Sequence, residues 1–382
     1  MQKVYITGSS LISALGNDKK EAINKIKQID NSNYENYLKE NFSNINFYRI
    51  NQKFSSFEDK FLSIIKQSVK DAIIDANLSK EEIKELHIFI GSTSMSISIN
   101  EEQYEKYVKK QSSEQIKKIG YGDIGTFIEQ LIDAKYKSTI IQTACTSSVN
   151  AICYAKDMIK NKEIKRALIV GFEFFNKSTY KGFKSLMLLS NEGKYKPFDK
   201  NSDGLILGEG CSSVILDSKK NKDDDFEILS TNNSFDNYSV TSSNPNGEVT
   251  SDCMIMALEK ASLEIEDLTC LKAHATGSEN SNFSEARALD NLFEKCNATT
   301  NVVILKPYIG HTLGACGATE TVLLCESIKN NYIPKTLNFK ESYEDIQFKP
   351  LLENVYENQA TVLFHYIGFG GSNTSMILSN VR

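Results

Sequence analysis

The sequence predicts an α/β protein on three observations: short apolar runs, amphipathic helical patterns between them, and a faint internal echo. The runs at residues 86–90, 139–144, 167–171, 212–216, 302–305, 361–364 and 375–378 are rich in Val and Ile. They are bounded by Gly, Ser or Asn. At four to six residues they fit strands buried on both faces and are too short for helices.

Taken in order, residues 1–16 read as a strand, a turn and the start of a helix. Gly8 and the adjacent serines interrupt the apolar run of a signal peptide. Phe61, Leu62, Ile65, Val69, Ile73 and Ala76 then mark one face of a helix. The strand at 139–144 ends in small residues and leads into a helix marked by Val149, Ile152, Cys153 and Ile159. Lys219 to Asp225 is a charged, solvated linker. Further helices are marked by Leu289, Leu292, Phe293 and Cys296, and by Val322, Cys325 and Ile328. The echo links residues 204–216 to 367–378, each a glycine-rich bend running into an apolar strand that closes a block. Two similarly built halves are expected, 1–220 and 221–382.

Composition narrows the function classes. The 382 residues are 24% charged and 40% hydrophobic, and 44 basic against 49 acidic side chains leave a net charge of −5. That balance gives no general attraction to nucleic acid or anionic lipid. With 5 Pro and 20 Gly, fibrous and disordered classes are excluded. No uncharged apolar run approaches the ~20 residues of a membrane span. The 8 cysteines include no Cys-x-x-Cys pair, so metal knuckles lack support, and most read as reduced packing thiols of a cytoplasmic protein.

Four segments have the residue types of a reactive site. In Thr143-Ala-Cys-Thr-Ser-Ser148, Cys145 sits where a strand gives way to a helix. Free backbone N–H groups and the helix dipole there are expected to lower its thiol pKa. In Leu271-Lys-Ala-His-Ala-Thr-Gly-Ser278, His274 ends a short extended segment. In the third, a strand delivers Lys306, glycines surround His311, and Glu320 lies on the inner side of the following helix. Cys316, among small residues there, reads as tight packing. In Gly368-Phe-Gly-Gly-Ser-Asn373, glycines allow a sharp turn that can aim an amide at a reacting centre. The spacing matches no phosphate-binding loop. His87 and His365 adjoin apolar runs and read as structural.

The ordered series Thr143-Ala-Cys-Thr-Ser-Ser, Lys196-Pro-Phe-Asp-x-x-x-Asp-Gly-x-x-x-Gly-Glu-Gly210, His274-x-Thr-Gly, Lys306-x-x-x-Gly-His-Thr-x-Gly-Ala-x-Gly and Gly368-Phe-Gly-Gly-x-Asn resembles the β-ketoacyl-acyl carrier protein synthases of the elongating Cys-His-His type. The resemblance runs along essentially the whole chain. It implies a thiolase-like fold, with two pseudo-repeated halves in a five-layered αβαβα arrangement. It further implies a decarboxylative Claisen condensation between an acyl chain on Cys145 and malonyl carrier protein, in fatty acid, polyketide or aryl polyene-type biosynthesis.

By the same resemblance Cys145 is the nucleophile, and His274 and His311 are the pair that serves malonyl decarboxylation. Lys306 organises that network, Glu320 is a buried glutamate associated with it, and Phe369 is a gate beside the thiol. The backbone N–H groups of Cys145 and Phe369 form the oxyanion hole, and Thr276 and Ser278 hold the pantetheine arm. Neither a metal nor an organic cofactor is implied, since the phosphopantetheine arrives on the carrier. The implied partners are acyl carrier protein, acyl and malonyl thioesters, and a second copy or another ketosynthase-like chain. A chain-length-factor-like partner subunit is the alternative, and such subunits typically lack the nucleophile. Ala275, Asn282, Ile367 and Phe172 depart from the family pattern.

Overall fold

The computed structural model describes residues 2–42, 45–113, 116 and 120–381. Its strands are β1 (Tyr5–Ser9), β2 (Ile12–Ser13), β3 (His87–Gly91), β4 (Thr139–Ile141), β5 (Arg166–Glu173), β6 (Gly210–Asp217), β7 (Phe226–Phe235), β8 (Cys270–Lys272), β9 (Asn301–Val303), β10 (Thr361–Gly368) and β11 (Ser372–Ser379). They run in the order β4-β3-β5-β6-β1-β7-β11-β10-β8-β9, with β2 paired to β6. Read outward from the β1–β7 pair, each side has the same plan. One antiparallel neighbour (β6 or β11) is followed by another antiparallel strand (β5 or β10) and then two parallel ones. The echoed segments are therefore β6 and β11, in equivalent places.

Strand alternation sorts the core into layers. In β3 and β5, Ile88, Ile90, Leu168 and Val170 pack against Phe61, Ile65 and Val69 of the Phe57–Asp75 helix. Phe89 and Ile169 face the other way, into a central layer built on the Ser147–Lys160 and Cys316–Lys329 helices. From the second side, Val303, Val362, Phe364 and Met376 meet the same layer. Leu271, Val302, Leu363 and Ile377 cover the outer Glu248–Ala261 and Glu279–Cys296 helices. The result is the expected five-layered thiolase-like arrangement. The two central helices approach so closely that a Cβ on Gly317 would lie 2.2 Å from the Val149 nitrogen. That contact sets the helix starts, and hence the thiol, beside the second half.

Two expected strands are shorter than their apolar runs. β4 stops at Ile141, and Gln142 to Ala144 leave the sheet to enter the helix, with Ala144 at φ 50°. β9 stops at Val303 because Leu305 is already helical and Pro307 opens the Lys306–Ile309 turn. Lys306 is thus presented by a helical turn and not by a strand. β7 was missed, since its second half is the polar run Ser230-Thr-Asn-Asn-Ser-Phe235. Among the described residues no helix is long and apolar enough to cross a membrane.

Candidate active site

Cys145 precedes the Ser147–Lys160 helix, and a tight polar turn holds it. The Thr143 N–H donates to Ser147 Oγ (3.0 Å), and the Ser147 hydroxyl donates to the Ala144 carbonyl (2.6 Å). From the second half, His311 Nε2 lies 3.1 Å from Cys145 Sγ. His311 is fixed through its backbone: its N–H donates to the Ile206 carbonyl (2.7 Å), and its carbonyl accepts from Gly208 (3.0 Å). The glycine-rich segment before β6 therefore buttresses a histidine that lies a hundred residues further along the chain.

His274 lies just beyond β8. Its N–H and that of Ala275 both donate to the Glu285 carboxylate, at 2.6 Å each. Ala275 adopts φ 48°, a left-handed conformation that explains why glycine is usual there. The His274 and His311 rings meet edge to face at 5.2 Å, and one ligating atom each of Cys145, His274 and His311 falls within 4.8 Å of the others. All three side chains are buried.

The expected low thiol pKa is overturned. Burial pushes Cys145 up to about 12, and the opposing pull of Lys306 and of the Phe369 N–H does not cancel it. The thiol is therefore protonated at neutral pH and needs a proton acceptor at the moment of attack. Burial, reinforced by Lys306 and other neighbouring cations, also holds both imidazoles well below the usual histidine range, so both are neutral.

Lys306 Nζ donates to Glu320 Oε1 (2.7 Å) and lies 3.3 Å from His274 Nδ1. Burial is the largest influence and opposes its charge, but Glu320, Cys316 and Glu285 together outweigh it and raise its pKa. An ammonium can only donate, so His274 Nδ1 is an acceptor and its proton sits on Nε2. That Nε2 is buried with no hydrogen-bond partner among the described residues, on a residue that lines the cleft.

The cleft is lined by Cys145, His274, His311, Thr276, Ser278 and Phe369, which brings together the residues singled out in the sequence from both halves. Glu320 and Lys306 stand one layer behind. The Phe369 ring stacks on Phe183 at 5.7 Å in the turn between β10 and β11. Three wall elements carry no motif in the sequence. Phe183 and Leu188 add apolar surface to the cleft, and Ser239, Thr241, Ser242 and Ser243 add hydroxyls to it. The last group was legible as an unassigned serine-rich stretch. Lys272, at the end of the short strand β8, also belongs to no motif.

The departures find local reasons. Asn282 Oδ1 accepts the Phe198 N–H at 2.8 Å, so a neutral amide does the work of an acceptor. Phe172 packs edge-on against Phe61 at 5.2 Å in the outer layer, and Ile367 lines the cleft. Cys316 lies on the far side of the nucleophile and donates to the Cys145 carbonyl. His87 stacks on Tyr136, and His365 pairs with Ser375, as structural histidines do.

A paired cysteine and two neutral imidazoles at the junction of two similar halves define a condensing enzyme of the thiolase-like class. The family profile "Beta-ketoacyl synthase, N-terminal domain" matches residues 1–222, and "Beta-ketoacyl synthase, C-terminal domain" matches 226–340. The 3-oxoacyl-[acyl-carrier-protein] synthase 2 of Coxiella burnetii is 27% identical over 100% of this chain and 99% of its own length. That of Staphylococcus aureus strain COL is 25% identical over 98% of each. A β-ketoacyl synthase from Burkholderia phymatum superposes with a TM-score of 0.82 at 23% identity, covering both chains fully. A type II polyketide ketosynthase solved with its acyl-carrier protein gives 0.85 at 20%, again over both chains. The chain belongs to the β-ketoacyl synthase family.

Proposed function

We propose that the chain elongates acyl chains by decarboxylative condensation with malonyl carrier protein, with Cys145 as the acyl-bearing nucleophile. The observation that carries this reading is the buried Cys145 Sγ–His311 Nε2 pair beside His274, a residue of the same cleft whose Nε2 has no hydrogen-bond partner among the described residues.

In the first half-reaction Cys145 Sγ attacks the thioester of an acyl carrier. A bond forms from sulfur to the acyl carbon, the bond to the pantetheine sulfur breaks, and the thiol proton passes to that sulfur. His311, in contact with the thiol, supports the transfer. Malonyl carrier then enters, carbon dioxide leaves, and the bonding pair becomes an enolate. His274 Nε2–H and the His311 ring stabilise the enolate oxygen as charge develops. The enolate carbon attacks the acyl-enzyme, the bond to Cys145 breaks, and the sulfur takes up a proton from solvent. The product is a β-ketoacyl carrier two carbons longer.

Thr276 and Ser278 are assigned to the pantetheine arm. Thr276 Oγ1 is buried without a hydrogen-bond partner among the described residues, on a residue that lines the cleft, and such a group gains most from a ligand's hydrogen bond. The Phe369 N–H points to the thiol, which suits an oxyanion donor, and its ring on Phe183 suits a gate. No group beyond the carrier's own phosphopantetheine enters this scheme. The reaction is placed in the cytoplasm, in keeping with eight free thiols.

A homodimer, or a pair with another ketosynthase-like chain, is proposed through β4, which ends the sheet order with Thr139 exposed and one edge unpaired among the described strands. Residues 1–220 and 221–382 are proposed as the structural halves. The presence of Cys145 favours the enzyme over the partner-subunit reading.

The test is a panel of acyl carriers of different length and unsaturation, mixed with purified protein and malonyl carrier and read by mass spectrometry. Elongated β-keto products are expected. Product that appears only after a second synthase-like chain is added would favour the partner-subunit reading.

A further inference from the structure

Behind the histidines lies a second lysine that the reading above does not use. Lys272, the last residue of β8, is fully buried, and its Nζ donates to Glu320 Oε2 at 2.5 Å. Lys306 occupies the other oxygen of the same carboxylate at 2.7 Å. Two buried lysines thus share one buried carboxylate. Lys272 Nζ also sits 3.6 Å from the centroid of Tyr366, on the neighbouring strand β10, where the ring face offers negative charge. The Tyr366 hydroxyl is tied to Thr321 Oγ1 (2.9 Å) on the helix that carries Glu320.

A buried lysine is costly, burial pulling Lys272 down to about 8 against the support of Glu320, and a core made only for stability would place an apolar residue at position 272. The arrangement has a geometric consequence. A lone lysine can swing between both oxygens of a carboxylate. With Oε2 taken by Lys272, Lys306 is confined to Oε1, the position from which it also reaches His274 Nδ1. Positions 272 and 274 are two residues apart on one extended segment, so the anchor and the histidine move together.

We propose that Lys272 is a positioning residue for the decarboxylation half-reaction: it pins Glu320, and Glu320 in turn aims Lys306 at His274. Lys272 lies behind the cleft wall and acts through its neighbours. This inference rests on the condensing function proposed above and deepens it.

The test measures two half-reactions separately, on the full-length protein. Acyl loading of Cys145 is followed by intact mass, and malonyl-carrier decarboxylation by carbon dioxide release. Lys272→Met, which keeps the volume and removes the charge, is expected to slow decarboxylation by about tenfold or more. Its loading rate and its KM for malonyl carrier should stay within about threefold of wild type. Lys272→Arg keeps the cation and should recover most of the loss. It also remains informative if the methionine variant does not fold.

In the double variant with Glu320→Gln, the two effects should be strongly non-additive, because Lys272 works through Glu320. Unchanged decarboxylation in Lys272→Met, equal loss of both half-reactions, an arginine variant no better than methionine, or additive behaviour with Glu320→Gln would each overturn the assignment. Wild-type protein that neither loads nor decarboxylates would overturn the condensing function itself, and this inference with it.

Discussion

Lys306 Nζ stands 3.3 Å from His274 Nδ1, and this contact fixes the tautomer of the imidazole. The lysine stays cationic against Glu320, so the ring proton is held on Nε2 of a residue that lines the cleft. His274 is therefore built as a hydrogen-bond donor. A cationic imidazole would donate as well, but burial and Lys306 disfavour it.

Replacement of His274 should separate the half-reactions. His274→Ala is expected to lose about a hundredfold or more in malonyl decarboxylation while Cys145 still becomes acylated. His311→Ala should slow both, because His311 alone of the two imidazoles is bonded to the thiol. Parallel measurements of carbon dioxide release and acyl-enzyme mass check this, and equal loss of both steps in His274→Ala would contradict the division of labour.

Cys145→Ala should abolish acyl-enzyme formation and condensation together, read as the missing acyl mass increment. Condensation that survives in this variant would remove Cys145 from the reaction.

Acid should destabilise the fold from near pH 6.5 downward. His274, His311 and His365 are all buried with lowered pKa values, His365 to about 3, burial being the largest cause. Below the unfolded value of about 6.5 the unfolded chain binds protons that the folded chain refuses, so stability falls as pH falls. The slope from each is at most about 1.4 kcal/mol per pH unit. Glu173, raised by burial to about 6, opposes this slope in the lower part of the window. Urea midpoints between pH 7.5 and 6.5 and down to 5 check the direction, and stability that rises on acidification would contradict it.

Gly371→Ala should be strongly destabilising. Gly371 adopts φ 86° and a Cβ would lie 1.8 Å from the Asp236 carbonyl oxygen, so the hairpin that carries Phe369 must shift. A loss above about 2 kcal/mol is expected, with acyl loading impaired in whatever protein folds. Thermal melts and loading rates test it. At Gly370 a Cβ would meet nothing, so any cost there comes from φ 83° alone.

Glu285→Ala should impair decarboxylation more than loading. Both carboxylate oxygens accept backbone N–H groups at His274 and Ala275, and without them two buried donors are left unpaired. A KM for malonyl carrier that rises while kcat is kept would show that Glu285 serves binding instead.

The sequence by itself determined much of this protein, because the relevant signals are local. Apolar runs of strand length named most of β3, β5, β6, β10 and β11, since a strand buried on both faces must be apolar throughout. Ordered motifs named Cys145, His274 and His311, because close packing of small residues around a reactive group leaves its mark in adjacent positions. The polar half of β7 had no such mark. Its Asn232 and Asn233 are satisfied by partners on other elements, Cys253 and Lys260 for one, Asn150 and Thr374 for the other.

What only the tertiary structure decided are quantities set by distant neighbours. The position of Cys145 at a helix start argued for a low thiol pKa, but burial between two halves raised it instead. Lys272 reads locally as an odd lysine in an apolar strand. Its meaning rests on Glu320, 48 residues further on, and on Tyr366 in the adjoining strand. Desolvation and charge pairing act through space, so the same residue types in the same order could have carried quite different electrostatics.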